Sequence, residues 1–390
     1  MFGKTFCLLS CACILSTANA APYLPANGAQ VLERLPGGAN PVQRELQGLR
    51  SAVSANPQDL NLATTLAQRY IEQSRRDGDP RYLGYAQAAL APWYAQPQPP
   101  SPVLVLRATL RQSTHQFGAA LADLDTVLQR DSGNSQAWLT RATVQTITGD
   151  FAGARASCMR LYSRAPELVV QACLSSVGSV SGQAAGSYER LRQTYAARPE
   201  SGADIRAWVA TLLGEMAARL GRLDAAEAHF REALALDPLD SYLLGAYADL
   251  LLDRGRAAQV VQLLKDKTAA DALLLRYAIA LKQAGQPQAA QASAELAARF
   301  DAALRRRDNV HQREQARYEL AVRGDARAAV RLAKLNWAVQ KEPADLRILA
   351  QAAVDSGDKE ARTLVRDWLK TSRIEDAAIA SIAARLGDKA

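Results

Sequence analysis

Seven glycines recur along this chain at nearly constant spacing: Gly149, Gly182, Gly221, Gly255, Gly285, Gly324 and Gly357. Each follows an apolar stretch with helical periodicity and precedes an alanine-rich one. The intervals are 33, 39, 34, 30, 39 and 33 residues, scattered about the roughly 34-residue period of a helix-turn-helix solenoid. A chain punctuated in this way folds as a row of helical hairpins, each packed only on its neighbours. It presents a long grooved surface suited to holding another molecule.

Residues 207–240 form the clearest unit. Leu213 and Gly214 lie in its first helix, Gly221 makes the turn, Ala226, Phe230 and Ala233 follow, and Pro238 closes it. The small residues at Gly214, Ala226 and Ala233 let two antiparallel helices approach closely, and Phe230 fills the space beside them. This unit resembles the tetratricopeptide repeat, with Ala210 and Ala217 standing where that family has bulky residues. The same template fits 101–134, where His115 occupies the turn, and 135–168, marked by Trp138, Ala142, Gly149 and Ala154. Further units open after Asp240 and at Leu274, and degenerate ones cover about 168–202, 310–343 and 343–376; an earlier pair spans 60–73 and 82–93. The resemblance covers most of 58–376 and implies an all-α, right-handed superhelix.

The N-terminus is a different object. Residues 1–20 carry Lys4, an apolar run from Phe6 to Leu15, and Ala18-Asn19-Ala20 before Ala21. This is the pattern of a secretory signal peptide cleaved after Ala20, which sends the mature chain to the periplasm or the medium. Lipidation at Cys11, within Leu8-Leu9-Ser10-Cys11, is the alternative reading. The run is too short to cross a membrane, and no other stretch is long and apolar enough. Of five cysteines only Cys158 and Cys173 lie beyond this segment. Their midpoint is Ala165-Pro166, where the turn between two repeats belongs, and residues equidistant from such a turn lie abreast. A disulfide is therefore expected in an oxidising compartment, with a pair of buried thiols as the alternative. The expected organisation is a signal peptide at 1–20, an extended arm at 21–40, the superhelix at 41–376, and a capping helix and tail at 377–390. Residues 43–55 should cap the front. The two 39-residue intervals imply longer helices or inserted loops near 198–204 and 305–310, and the Pro-rich stretch at 96–102 is read as a linker.

The net charge is +8. The densest basic cluster is Arg305, Arg306, Arg307, Arg313 and Arg317, interleaved with Asp301, Asp308, Glu314 and Glu319. With export this reads as a helix face laced with ion pairs rather than a nucleic-acid surface. The other reading is a basic face that draws an acidic envelope polymer or anionic lipid headgroups into peripheral association. His115, His229 and His311 fall in different repeats, so no metal-binding cluster is visible, and no phosphate loop, nucleophile elbow or zinc-protease helix occurs. No catalytic residue, cofactor site or metal site is assigned.

Binding is then the expected function. In the family that these repeats resemble, the first helix of each repeat lines the concave groove and holds extended or helical peptides. Carried onto this chain, that face comprises Gln136, Leu139, Thr143, Thr211, Glu215, Tyr242, Asp249, Leu275, Ile279 and Lys282. The expected role is an exported scaffold or adaptor that takes a protein or peptide partner in an envelope complex. The alternative is a non-catalytic binder of envelope polysaccharide or peptidoglycan through the arginine-rich face.

Overall fold

The computed structural model describes residues 41–306 and 312–387. The expected signal peptide and arm lie outside the described residues, as do 307–311, which include His311 and Arg307, and 388–390. The chain divides between Gln47 and Gly48. Helix α1 (Pro41–Ala55) crosses that division, and all the later helices belong to the second unit.

Among the described residues the second unit is wholly helical. Nine antiparallel hairpins follow one another: α2 (Leu60–Asp77) with α3 (Arg81–Ala89), then a short α4 (Ala91–Tyr94); α5 (Ser101–Ser113) with α6 (Phe117–Arg130); and α7 (Ser135–Thr148) with α8 (Phe151–Met159). Next come α9 (Glu167–Ser179) with α10 (Ala184–Ala197), α11 (Ala203–Arg219) with α12 (Leu223–Leu236), and α13 (Ser241–Asp253) with α14 (Ala257–Leu264). The series ends with α15 (Asp271–Gln283) and α16 (Ala289–Arg305), α17 (Gln312–Tyr318) and α18 (Ala326–Val339), and α19 (Pro343–Ser356) and α20 (Lys359–Ser372). Helix α21 (Ala377–Ala383) closes the row with Ile379, Ile382 and Leu386 buried.

The repeating turn has a backbone cause. All seven glycines adopt positive φ, and Gly78 adds an eighth in the first hairpin. His115 occupies the same place in the second hairpin at φ +58°. This left-handed conformation ends the first helix of a hairpin, and an L side chain there meets its own carbonyl. In four hairpins an aspartate follows the glycine at once, and in three of them it caps the next helix: Asp150, Asp325 and Asp358 accept from the backbone N–H groups of Gly153, Ala328 and Ala361 at 2.8–2.9 Å. One residue stops a helix and the next caps its successor, an N-cap contribution of about 1 kcal/mol.

Packing within a hairpin follows the small residues. A Cβ on Gly214 would lie 2.7 Å from the Phe230 ring, so the glycine in α11 creates the space that the α12 aromatic fills. Ala226 and Ala233 are fully buried beside it. Unequal glycine intervals become unequal helices. The first 39-residue interval holds the 17-residue α11; the second holds the 17-residue α16 and a π-helical turn at Glu319–Arg323 that extends α17. The 30-residue interval contains α14, only 8 residues long. The Pro-rich stretch is pinned at both ends: Arg107 donates to the Tyr94 carbonyl, and Arg130 donates to the Pro99 carbonyl at 2.7 Å. Cys158 and Cys173 form a disulfide with Cα atoms 5.6 Å apart, tying the second helix of one repeat to the first helix of the next.

Candidate partner-binding groove

The inner surface is set by how the solenoid winds. The turn edge of early repeats meets the opposite, inter-repeat edge of later ones. Ser241 Oγ donates to the Arg75 carbonyl at 2.8 Å, and Arg75 pairs with Asp240. Further along the chain the pattern returns: the Lys341 backbone N–H donates to the Ile147 carbonyl at 2.7 Å. Trp368 lies against Gly149 and Phe151, with ring centroids of the aromatic pair 5.8 Å apart. Arg373 then covers Gly182, Glu375 accepts from Ala184 N–H at 3.4 Å, and Ala377 faces Gly221.

These contacts divide the turn glycines into two groups, with Gly221, where a Cβ would stand 3.6 Å from Ala377, between them. A Cβ would lie 2.6 Å from Ala270 at Gly78, 2.5 Å from Trp368 at Gly149 and 3.1 Å from Arg373 at Gly182. At Gly255, Gly285, Gly324 and Gly357 it would meet nothing within 4 Å. The first group serves both the turn and the close approach of successive windings; the second serves the turn alone.

The middle of the concave face is closed by the chain itself. Asp249 on α13 accepts from Arg276 on α15 and from Arg317 on α17, both at 2.6 Å. Its neighbour one turn on, Asp253, takes both amino groups of Arg347 from α19 at 2.7 and 2.6 Å. Three successive first helices thus send an arginine onto one helix. Burial pushes the Asp249 carboxyl up, but Arg276 and Arg317 outweigh it and hold the group below the ordinary carboxylate range. The Tyr242 hydroxyl donates to Glu215 at 2.6 Å, and the negative Glu215 raises the phenol well above its usual value. Burial raises Glu215 in turn. Tyr242 nevertheless stays 58% exposed.

The groove residues expected from sequence fall into three sets. Gln136, Leu139 and Thr143 on α7 remain accessible or half-buried and carry no charge. Tyr242, Glu215 and Asp249 are engaged in the contacts above, and Lys282 donates to the carbonyls of Ala321 and Val322 at 3.0 and 2.6 Å. Leu275, Ile279 and Thr211 are corrections to the expected surface. They are 0%, 4% and 6% exposed: α13, α17 and the π-helical turn of the adjacent repeats pack against α15, and the Thr211 hydroxyl donates to the Ala207 carbonyl at 2.8 Å. The residues missed at the sequence level are Arg276, Arg317 and Arg347. Their signal was one arginine in each of three successive first helices, with Asp249 and Asp253 four residues apart on an earlier one.

The basic cluster is also engaged. Arg305 pairs with Asp301 at 2.5 Å, Arg313 binds Glu342 and both oxygens of Asp345, and Arg317 reaches Asp249. Only the first of these runs along one helix; the others join repeats. His115 stacks on Phe117, with centroids 5.5 Å apart, and His229 shares a hydrogen bond with Tyr188 at 3.1 Å. Among the described residues no group of three or more His, Cys, Asp or Glu is placed to hold a metal, and no helix is long and apolar enough to cross a membrane.

Residues 207–240 match the family model for the tetratricopeptide repeat. No curated protein matches the sequence significantly. The fold is similar to that of the Cut9–Hcn1 hetero-tetramer of the APC/C, at 13% identity and a TM-score of 0.54 over 88% of this chain and 66% of that one. A thermophilic tetratricopeptide-repeat protein of Thermus thermophilus, TTC0263, is 23% identical over 53% of this chain and 99% of its own, with a TM-score of 0.37. The Rap conjugation gene regulator of plasmid pLS20, in complex with the Phr* peptide, is 14% identical over 85% and 98% of the two chains, at 0.44.

Proposed function

Taking as premise that this chain is a tetratricopeptide-repeat solenoid, we propose that it is an exported scaffold that holds a protein or peptide partner on the inner face of α7. The fold is of a kind that binds proteins. The observation that carries the finer reading is the contrast along the groove. Its middle is closed by the arginines from α15, α17 and α19, whereas Gln136, Leu139 and Thr143 are uncharged, with Gln136 exposed and the other two half-buried. An uncharged, partly apolar strip flanked by polar residues is the usual composition of an interface core with its rim. The signal-like residues 1–20 and the cystine both support a site of action in an oxidising compartment.

The test is photo-crosslinking in cells. A photoreactive amino acid replaces Gln136 in one variant and Lys282 in another. One discrete adduct from position 136, lost when Leu139→Glu is added and absent from position 282, supports the reading. Equal labelling from both positions, or adducts with cell-wall polysaccharide alone, overturns it. Export is checked separately by fractionation and by the mass of the mature N-terminus, which should begin at Ala21.

A further inference from the structure

Where the end of α20 crosses the turn edge of the third and fourth hairpins, a shallow cavity of about 300 Å3 opens. Its walls include Phe151 and Arg155 from α8, Ser181 from the α9–α10 turn, and Thr371, Ser372 and Arg373 from the end of α20. The two windings contribute one guanidinium each. We infer that this seam is an anion-binding site, which takes a single phosphate or carboxylate group between Arg155 and Arg373 and so joins successive windings of the superhelix.

The charge balance favours an added anion. At several other places along the solenoid an arginine that faces another repeat has a carboxylate partner, as at Glu227, Asp249 and Asp345. Arg155 has one weak side-chain contact, to Gln183 Oε1 at 3.5 Å. Neither it nor Arg373 pairs with a carboxylate among the described residues. Two acids close in sequence to these arginines are engaged: Asp150 caps α8 through Gly153 N–H at 2.9 Å, and Glu375 accepts from Ala184 N–H. Two like charges on facing walls repel, and an oxyanion between them would convert that repulsion into charge-assisted hydrogen bonds.

The backbone holds the arginines in place. Arg373 has φ +53°, a conformation an L residue adopts at a cost, and its Cβ lies 3.1 Å from where a Cβ on Gly182 would stand. The absence of a side chain at Gly182 is what lets Arg373 lie over this turn. Left-handed non-glycine residues persist where the surroundings fix them, often at ligand clamps. The Ser181, Thr371 and Ser372 hydroxyls donate to the carbonyls of Val177, Asp367 and Trp368 at 2.7, 2.9 and 2.7 Å. Recognition of the anion therefore falls to the guanidiniums, and Phe151 offers an apolar wall to whatever carries the charged group.

A ligand that binds only the closed form raises its stability by mass action. The experiment follows thermal unfolding of the purified protein by circular dichroism, titrated with inorganic phosphate and, separately, with acetate at constant ionic strength. A saturable rise in the midpoint is expected with at least one of them; a rise with phosphate alone or with acetate alone identifies the group. Arg155→Gln and Arg373→Gly should each weaken the apparent affinity by roughly ten-fold or more, the loss of one charge-assisted contact. Arg155→Lys should retain part of the response, and Arg331→Gln, an exposed arginine on α18, should retain all of it. The inference is overturned if neither anion gives a saturable shift, or if the Arg155→Gln/Arg373→Gly double variant, folded by its circular dichroism, responds as the parent does.

Discussion

Replacing Gly149 by alanine should cost far more than replacing Gly285, although both glycines end the first helix of a repeat. Both have positive φ, +88° and +63°. Either alanine must adopt the left-handed region, at about 1–2 kcal/mol. The difference lies in what the new methyl meets. At Gly285 nothing stands within 4 Å, whereas at Gly149 the methyl would come within 2.5 Å of Trp368 Cη2. The indole cannot swing aside freely, since it packs edge-on against Trp337, centroids 5.3 Å apart, and against Phe151. Overpacking of that kind adds about 1–3 kcal/mol. Gly149→Ala is therefore expected to lose about 2–5 kcal/mol in total, against about 1–2 for Gly285→Ala. Urea unfolding followed by circular dichroism and by tryptophan fluorescence measures both. A Trp368→Leu background supplies the control: there Gly149→Ala should fall to the cost of its backbone alone, the non-additivity expected of touching residues. Equal losses for the two glycines in the parent, or no rescue by Trp368→Leu, would refute this picture of the seam.

Asp249→Asn leaves Arg276 and Arg317 without their carboxylate and should cost about 2–3 kcal/mol at neutral pH. The Asp249 carboxyl has a lowered pKa in the folded chain, so its contribution is complete above the ordinary carboxylate pKa and drains as pH falls towards the folded value. Chemical unfolding between about pH 6 and 3 should accordingly show a steeper acid loss in the parent than in the variant. Removing the Cys158–Cys173 bond, by Cys158→Ser with Cys173→Ser, should lower stability by about 3 kcal/mol in the chain-entropy model, and the unreduced, denatured mature chain should show no free thiol. His115→Gly relieves the one turn of this series held by a side-chain-bearing residue, and should raise stability by about 0.5–1 kcal/mol in the same assay.

The hairpins are legible in the sequence because each is local. A left-handed glycine, the small residues beside Phe230 and the position of Cys158 relative to Cys173 all act within one or two repeats. The variable glycine spacing likewise foretells long α11 and α16 and short α14. How far the solenoid winds is not legible. It depends on contacts such as Gly149 with Trp368 and Asp253 with Arg347, whose partners lie several repeats apart and belong to no common motif. Leu275 and Ile279, on the first helix of their repeat, are buried for a nearer reason: the first helices of the adjacent repeats pack closely on α15. The arginine-rich stretch reads locally as ion-paired along one helix; most of its pairs instead join repeats, which no local periodicity reveals.

The groove requires the superhelix to be wound shut, with the eighth-to-ninth repeat connection resting on α7. Cysteines placed at Ile147 and Lys341, whose backbones share a 2.7 Å hydrogen bond, test this directly in the mature chain treated with a short bismaleimide. Rapid, stoichiometric intramolecular cross-linking under native conditions, abolished in urea, is the predicted result. Two thiols that react independently, in a protein with unchanged helical content, would contradict it.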